Sequence, residues 1–265
     1  MLETLFAGAA IALVCGAPQL GSAAEPQPEP IDIGSRLELF VDDFIIDKLQ
    51  DARQRLHHPE PREVAIVHDQ PWEGNTCFYD TVFRDDDLYR MYYRGSQHTP
   101  GKGSTHQVVC YAESEDGIRW TKPELGLVEF DGSKKNNIVW DGVGHHNFVP
   151  FKDPSPDCTP EARYKAIGGS KGEGGLFAFQ SPDAIHWSLM SDNPVITKGA
   201  FDSQNLAFWD NVRGCYVDYH RQGRNGKRDI MTCTSPDFLD WTEPKFLEYP
   251  GAPSEHLYVN QIQPY

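Results

Sequence analysis

The sequence predicts an all-β fold of the β-propeller type, and three observations lead to this prediction. A Ser-x-Asp-x-x-x-Trp motif occurs three times, at residues 114–120, 181–187 and 235–241. The motif recurs about every 60 residues, a period that suits four-stranded propeller blades with long loops better than helical repeats. Runs of alternating apolar and polar residues precede each copy, while helical periodicity is scarce.

Each repeat is predicted to contain three strands before its motif and an outer strand after it. The run just before the serine of each motif ends in a polar residue, and the residues two and four positions before that serine are apolar. This alternation is typical of a half-buried strand. These runs are 108–113, 176–180 and 230–234. The strand before it carries a matching tyrosine, at 88–94, 163–167 and 215–220. The first strand carries a matching phenylalanine and a closing aspartate, at 81–85, 149–153 and 206–210, and outer strands are expected at, for example, 126–130 and 245–248.

The motif itself is interpreted as structural. Ser and Asp side chains hold tight turns by binding nearby backbone N–H groups. The Trp that follows supplies a large apolar surface, which we expect to pack between neighbouring sheets.

The chain is predicted to have three parts. Residues 1–24 are similar to an export signal, because the apolar run 5–17 is too short to span a bilayer and small residues precede position 25. Residues 25–35 are a proline-rich linker. Residues 36–265 are a partial propeller. The sequence therefore predicts a secreted or periplasmic protein, with no membrane attachment after signal cleavage.

The predicted propeller is incomplete in this chain. Its blades span about 72–140, 141–199 and 200–250, and a fourth begins at about 255. Closed propellers have at least four blades, so roughly two further blades are expected in the complete protein. The segment 36–46 is expected to form a strand that completes the last blade from the N-terminal side.

Composition narrows the range of partners. The 265 residues carry a net charge of −15, which argues against a nucleic-acid partner because no basic patch is evident. The five cysteines beyond the export signal contain no CxxC pair, and we predict no metal or redox site and no cofactor. A structural calcium ion is conceivable at Asp85–Asp87 or Asp42–Asp43, although neither has EF-hand spacing.

The Ser-x-Asp turns, together with the segments 39–46 and 201–210, resemble those of five-bladed propeller glycoside hydrolases of the invertase, arabinanase and levansucrase type. The resemblance covers about residues 36–265. Two features depart from it: the Trp-x-Asn-Asp-Pro-Asn-Gly box is missing, and His145-His146-Asn147 stands where Arg-Asp-Pro is expected. A sialidase Asp-box fits less well, since its Trp lies one residue farther from Ser and no arginine triad is identifiable.

The resemblance implies two channel carboxyl groups, one protonated and one ionised, because this is the pair that cleaves a glycosidic bond. It places Asp80 as nucleophile or base, Asp202 as a second carboxylate and Glu255 as acid. Substrate-binding candidates precede the innermost strands: Trp72, Glu73, Asn75, His146, Asn147, Gln204, Asn205, Tyr258 and Asn260. His145 and His146 are not expected to share a metal ion, because adjacent strand residues face opposite ways.

Two functions remain open at this point. The first is a secreted glycoside hydrolase that cleaves a poly- or oligosaccharide, favoured by the set Asp80, Asp202 and Glu255. The second is a non-catalytic carbohydrate-binding propeller, favoured by the missing invertase box. Each has a carbohydrate as its partner.

Overall fold

The computed structural model describes residues 29–35 and 37–263. The predicted export signal 1–24 and residues 25–28 of the predicted linker lie outside the described residues. Backbone contacts divide the chain into one unit that ends at Pro59 and a second unit, Glu60–Tyr265.

The described residues of the first unit form turns and bends without a strand. Residues 37–46 form no strand here, and the strand at 36–46, which was expected to complete the last blade of a longer protein, stays a prediction. Its backbone hydrogen bonds are local, from Val41 N to Leu39 O (2.9 Å) and from Ile46 N to Asp43 O (3.1 Å), so the segment gains no neighbouring strand to pair with. Several of its apolar side chains are exposed: Leu37, Leu39, Phe40, Val41 and Phe44.

The second unit is all-β, which confirms the predicted fold class. Its strands form three four-stranded antiparallel sheets, which we call blades 1, 2 and 3. Blade 1 contains β1 (Phe78–Asp85), β2 (Leu88–Thr99), β3 (Gly103–Ser114) and β4 (Ile138–Trp140). Blade 2 contains β5 (Val149–Lys152), β6 (Tyr164–Ser170), β7 (Gly175–Ser181) and β8 (Ser188–Leu189). Blade 3 contains β9 (Leu206–Asp210), β10 (Cys215–Arg224), β11 (Lys227–Ser235) and β12 (Lys245–Phe246).

Other regular structure among the described residues is limited to two short 3-10 helices, Pro160–Ala162 and Lys171–Glu173. Within this part of the chain no helix has the length and apolar character needed to cross a bilayer. The five cysteines in it are all free thiols, two of them buried.

The outer strands only partly follow the sequence prediction. In blade 3, β12 lies inside the predicted range. In blade 1 the expected strand at 126–130 is wrong, and β4 takes its place by pairing Ile138 with Cys110. The physical reason is local: Gly126 has a φ of 73° and Phe130 bridges to Ser133, so the chain turns instead of extending. Residues 255–263 have no assigned strand.

The Ser-x-Asp motifs form the turns that were predicted. In blade 2, Ser181 Oγ accepts hydrogen bonds from the backbone N–H of Asp183 (3.3 Å) and Ala184 (2.9 Å). Asp183 Oδ1 in turn accepts from the next two N–H groups. The motifs beginning at Ser114 and Ser235 repeat this arrangement. Each motif therefore satisfies four backbone donors in a chain reversal.

Aromatic packing joins neighbouring blades. Trp187 of the second motif packs edge-to-face against Tyr92 of blade 1 and Phe148 of blade 2, in one buried cluster. A second cluster joins blade 2 to blade 3 and includes Trp241 at its margin. The predicted structural role of the Trp residues is thus confirmed for these two motifs.

A repeated hydrogen bond also links the blades. Tyr164 of blade 2 donates to Asp85 Oδ2 of blade 1 (2.7 Å), and Tyr216 of blade 3 donates to Asp153 Oδ2 of blade 2 (2.7 Å). The tyrosines hold one position of the repeat and the aspartates another, so one contact recurs at each blade junction.

Candidate functional site

The innermost strands β1, β5 and β9 surround a cavity of ≈ 250 Å³. The cavity also contacts residues 261–263, and it reaches Asp80 and Gln204 where the innermost strands begin. We call this side of the blades the leading end. Because β2, β6 and β10 run antiparallel to their inner neighbours, their later residues lie at the leading end as well.

Asp80 is a cavity residue with an exposed carboxylate. About 44% of its side chain is exposed, and its Oδ1 lies 3.6 Å from His68 Nε2. The other ring nitrogen of His68 lies 3.6 Å from Glu73 Oε1. Interactions with Asp80, and then with Cys77 and Glu73, raise the pKa of His68 to about 11. His68 is therefore a cation at neutral pH, and it places a positive charge beside the Asp80 carboxylate.

Glu73 has a structural role, which corrects its prediction as a sugar-binding residue. It is fully buried, and its carboxylate accepts hydrogen bonds from Tyr93 (2.6 Å), Lys122 (2.8 Å) and the backbone N–H of Gln70 (2.8 Å). Burial alone would raise the pKa of Glu73, but His68, Lys122 and the other donors outweigh it and lower that pKa to about 2. The side chain is consequently unavailable to a ligand.

Trp72 and Asn75 also make structural contacts, and their assignment as ligand residues stays a prediction. Trp72 donates from Nε1 to Asn137 Oδ1 (2.6 Å) and packs edge-to-face on Phe130. The Asn75 amide donates to the carbonyl of His98 (3.0 Å) and accepts from its N–H (2.8 Å). Both residues brace the segment that leads into β1.

Tyr79 occupies a distorted position at the start of β1. The pairing of β1 with β2 shifts register between Phe78 and Thr81, and Tyr79 has a φ of 66°. A bulky residue rarely takes this left-handed conformation, and bulges redirect side chains at functional sites. Burial raises the pKa of Tyr79, while the charges of Arg94 and Arg221 oppose that effect.

Arg94 is a site residue that sequence reasoning missed. It is 7% exposed, and its guanidinium carbon lies 4.1 Å from the ring centroid of Phe78. Its Nη1 group hydrogen-bonds Asn147 Oδ1 (3.1 Å) and lies 3.2 Å from His146 Nδ1. The buried cation therefore connects blade 1 to the polar segment that precedes blade 2.

The structure brings His146 and Asn147 to the leading end, where they were expected. Burial, followed by the nearby charge of Arg94, lowers the pKa of His146 to about 4, so the ring is neutral at pH 7. Asn147 has a φ of 51° and donates from Nδ2 to the carbonyl of Ser203 (2.7 Å). Asn147 thus joins blade 1, through Arg94, to the segment that precedes blade 3.

Asp202 also lies at the leading end, in an ion pair that was not foreseen. Its carboxylate, 60% exposed, lies 3.3 Å from Nη1 of Arg221, which is 4% exposed. The guanidinium of Arg221 lies 5.1 Å from the ring centroid of Tyr258, whose side chain is exposed. Arg221 therefore positions both an acidic and an aromatic group.

Gln204 spans the cavity, whereas Asn205 and Asn260 brace backbone. Gln204 Nε2 donates to Thr81 Oγ1 of blade 1 (2.8 Å), and its Oε1 accepts from Gln261 (3.0 Å). Asn205 is fully buried. Asn260 is 5% exposed and donates to the carbonyl of Gln204 (3.2 Å). The prediction that Asn205 and Asn260 face a ligand is corrected by this burial.

Glu255 stands apart from the other predicted residues. Its side chain is exposed, and it forms no hydrogen bond or ion pair with another described residue. The neighbouring His256 accepts a hydrogen bond from the N–H of Arg228 (3.1 Å). The described structure therefore supplies no contact that orients Glu255.

The two missed arginines carried a sequence signal. Arg94 lies five residues after Tyr89, and Arg221 lies five residues after Tyr216, so both hold one position of the repeat. Gly169 holds that position in blade 2. Alignment of the repeats beyond their tyrosines would have found the pair.

Two groups could suggest a metal, and neither has the free donors that a metal requires. Ligand atoms of Asp218, His220 and Cys233 lie within 4.8 Å of one another. However, His220 Nδ1 pairs with Asp218, and its Nε2 lies 2.9 Å from the carbonyl of Lys198, so both nitrogens contact oxygen acceptors. At the predicted calcium candidate, Asp85 is occupied by the cations of Arg90 (2.6 Å) and Lys152 (2.8 Å).

Comparison with known proteins identifies a family. Residues 53–205, more than half of the chain, match the family model described as Glycosyl hydrolases family 32 N-terminal domain. No curated protein matches the chain in sequence.

Several solved structures are similar to this chain at low sequence identity. A glycosyl hydrolase from Bacteroides ovatus has a TM-score of 0.42 and 16% identity, covering 63% of this chain and 50% of that one. A fructofuranosidase from Schwanniomyces occidentalis, complexed with fructosylnystose, has a TM-score of 0.46 and 17% identity, covering 68% and 36%. An N-acetylgalactosamine deacetylase from F. plautii has a TM-score of 0.42 and 13% identity, covering 62% and 51%. The chain thus spans about half the length, or less, of these structures.

Proposed function

The chain belongs to the family of glycosyl hydrolases family 32 N-terminal domains, and on that premise we propose that it is a secreted glycoside hydrolase that cleaves a poly- or oligosaccharide. The matched range includes both Asp80 and Asp202. Secretion rests on the apolar run 5–17 and the small residues before position 25.

The observation that carries the proposal is the position of Asp80. Its carboxylate borders the cavity between the innermost strands, and almost half of its side chain is exposed. His68 Nε2 lies 3.6 Å from Asp80 Oδ1 and can orient that carboxylate towards the cavity, and a carboxylate that borders the cavity can serve as a nucleophile or a general base. We therefore assign this role to Asp80.

The second carboxyl group is assigned to Asp202 or Glu255. Arg221 lies 3.3 Å from Asp202 at the leading end, which suits a carboxylate that orients the sugar. The acid transfers its proton to the leaving oxygen. We propose Glu255 for the acid, because it is the remaining carboxyl group of the predicted set.

A specific observation favours the alternative, a carbohydrate-binding propeller without activity. Asp202 is held by a cation and no contact orients Glu255, so the described residues do not present a second carboxyl group aimed at Asp80. In this case the leading end would bind a sugar through exposed aromatic rings such as Tyr258.

A hydrolysis screen tests the proposal. The purified protein is incubated with a panel of plant and algal polysaccharides and their oligosaccharides, and release of reducing ends is measured for wild type, Asp80→Asn and Asp202→Asn. We expect release by wild type and a loss of at least about 100-fold in Asp80→Asn, since removing a catalytic carboxylate removes this much rate or more.

A matched control variant tests whether the loss of activity is specific to position 80. Asp87 lies in the exposed turn between β1 and β2, at the opposite end of the strand from Asp80, and Asp87→Asn should retain wild-type rates. Binding of a sugar without release of reducing ends from any substrate would contradict hydrolysis and support the binding propeller.

A further inference from the structure

Two buried arginines stand at the leading end, and they point to the chemical class of the ligand. Arg94 of blade 1 and Arg221 of blade 3 hold the same position in the repeat. We infer that the site takes an acidic saccharide, a chain that contains a hexuronic acid, whose carboxylate binds to the guanidinium groups of Arg94 and Arg221. This inference rests on the proposed function, because it names the substrate of that same site.

Arg94 is a buried cation without an anionic partner among the described residues. It is 7% exposed, its Nη1 bonds the neutral side chains of Asn147 and His146, and its Nε has no hydrogen-bond partner. Burial of an unpaired guanidinium is unfavourable, and contact with aromatic faces compensates only in part. Since Phe78 and Tyr79 lie over the face of the guanidinium, its N–H edge is the part that an anion would contact.

The guanidinium donors of Arg221 have few hydrogen-bond partners. It is 4% exposed, and its ion pair with Asp202 is a single 3.3 Å contact to a carboxylate that is 60% exposed. Its Nη2 group is buried and has no partner. A ligand carboxylate is the group that fits such donors, because guanidinium N–H groups match carboxylate oxygens in paired geometry.

Arg94 and Arg221 lie near the same group of residues at the leading end. Arg94 bonds Asn147, and Asn147 bonds the carbonyl of Ser203, which is the residue after Asp202. The charges of Arg94 and Arg221 also both oppose the rise in the pKa of Tyr79, which places this phenol within the field of each cation. The two guanidinium groups are therefore parts of one site.

The surrounding rings favour a sugar acid over a simple inorganic anion. Phe78 and Tyr258 are both substantially exposed, at 40% and 61%, and each lies over one of the two arginines. Such rings stack on the apolar face of a sugar. The chain carries a net charge of −15, so preference for an anion has to come from this local site and not from the overall field.

The test compares acids with their neutral esters. Trisaccharides of galacturonic, glucuronic and mannuronic acid are titrated into the wild-type protein by calorimetry, each beside its methyl ester, which removes the charge and adds one methyl group per carboxyl. We expect at least one acid to bind about tenfold or more tightly than its ester, and we expect this ratio to fall as salt is raised. If no acid binds better than its ester, the inference is overturned.

Variants of Arg94 test whether this residue causes the preference for an acid over its ester. Arg94→Gln should bring the acid-to-ester ratio close to one, while Arg94→Lys should keep part of it because the charge remains. Arg84→Gln is the matched control, since Arg84 is an exposed arginine near the opposite end of β1, and it should keep the wild-type ratio. A wild-type ratio in Arg94→Gln overturns the inference. The thermal midpoint of each variant shows whether it folds. If a variant does not fold, the comparison of acid and ester binding to the wild-type protein still tests the inference.

The hydrolysis screen separates this inference from the proposed function. Preferential binding of an acid, without hydrolysis of any substrate, supports the inference and contradicts the hydrolase. Hydrolysis of neutral saccharides, with no preference for any acid over its ester, overturns the inference and leaves the hydrolase in place.

Discussion

Glu73 and Asp80 show how environment buries one of two nearby carboxylates and exposes the other. Glu73 is fully buried and bound by Lys122, Tyr93 and the backbone, whereas Asp80 borders a cavity with an exposed side chain. His68 lies between them and is held as a cation. Of these two carboxylates only Asp80 is accessible to a ligand, although the sequence made both candidates, Asp80 as nucleophile or base and Glu73 as a substrate-binding residue.

Glu73→Gln should destabilise the fold by about 3 kcal/mol, because it removes the buried carboxylate that pairs with the partly buried Lys122 ammonium and accepts from Tyr93. The free energy of unfolding from urea titration measures this loss. Glu60→Gln is the control, since Glu60 forms an exposed ion pair with Arg62 that contributes little. Equal stability of the two variants would contradict the structural role of Glu73.

Position in the repeat predicted which end of the blade a residue occupies but not its exposure. Asp80, Asn147 and Gln204 precede or begin inner strands, and the structure places them at the leading end. Asp80 is exposed, whereas Glu73, Asn147, Gln204 and Asn205 have a similar sequence context but are buried, because partners distant in the chain cover them. Alternation along a strand does not reveal such tertiary contacts.

At the scale of the elements, the same tyrosine–aspartate hydrogen bond joins blade 1 to blade 2 and blade 2 to blade 3. The tyrosine of one blade donates to the closing aspartate of the blade before it, as in Tyr164 with Asp85 and Tyr216 with Asp153. Each aspartate also binds a lysine or an arginine. The junction is therefore a buried charged network and not apolar packing alone.

Tyr216→Phe should lower the free energy of unfolding by about 1.5 kcal/mol, since it removes a hydrogen bond to a buried carboxylate. The matched control is Tyr89→Phe, because Tyr89 holds the same repeat position but has no hydrogen-bond partner for its hydroxyl among the described residues. Urea titration of both variants gives the difference. A loss in Tyr89→Phe as large as that in Tyr216→Phe would contradict the junction role.

The strands were predictable because their signal is local. Alternating polarity and the Ser-x-Asp turns indicate all three blades, and these features depend on residues close in sequence. The segment 126–130 looks like a strand but does not pair, because Gly126 has a φ of 73° and Phe130 bridges to Ser133. Alternation of polarity alone does not reveal such a turn, and β4 takes the edge of blade 1 instead.

At the scale of the whole molecule, paired carboxylates make stability depend on pH. Ion pairs and hydrogen bonds outweigh burial and lower the pKa of Glu73, from 4.5, and of Asp85, from 3.8, to about 2 in each case. A lowered folded-state pKa contributes stability that is present above the unfolded value and is lost as pH falls through the folded value. The raised pKa of His68 contributes stability that is fully present below pH 6.5. His68 therefore does not change the loss of stability that the two carboxylates cause at low pH.

The thermal midpoint should therefore fall steadily between about pH 4.5 and pH 2. Calorimetric scans across this range measure it. Glu73→Gln, already less stable at pH 7, should show a smaller fall because it lacks one of the titrating groups. A midpoint that is constant down to pH 2 would contradict the assigned ion pairs.

The central claim is that the cavity between the innermost strands is a saccharide site with Asp80 at its reacting centre. A crystal structure of Asp80→Asn with a bound oligosaccharide tests it most directly. The account predicts a glycosidic bond beside position 80 and a second carboxyl group across it, about 5–5.5 Å away for a retaining enzyme or about 6.5–9.5 Å for an inverting one. A sugar bound elsewhere, with position 80 contacting only protein, would contradict the claim.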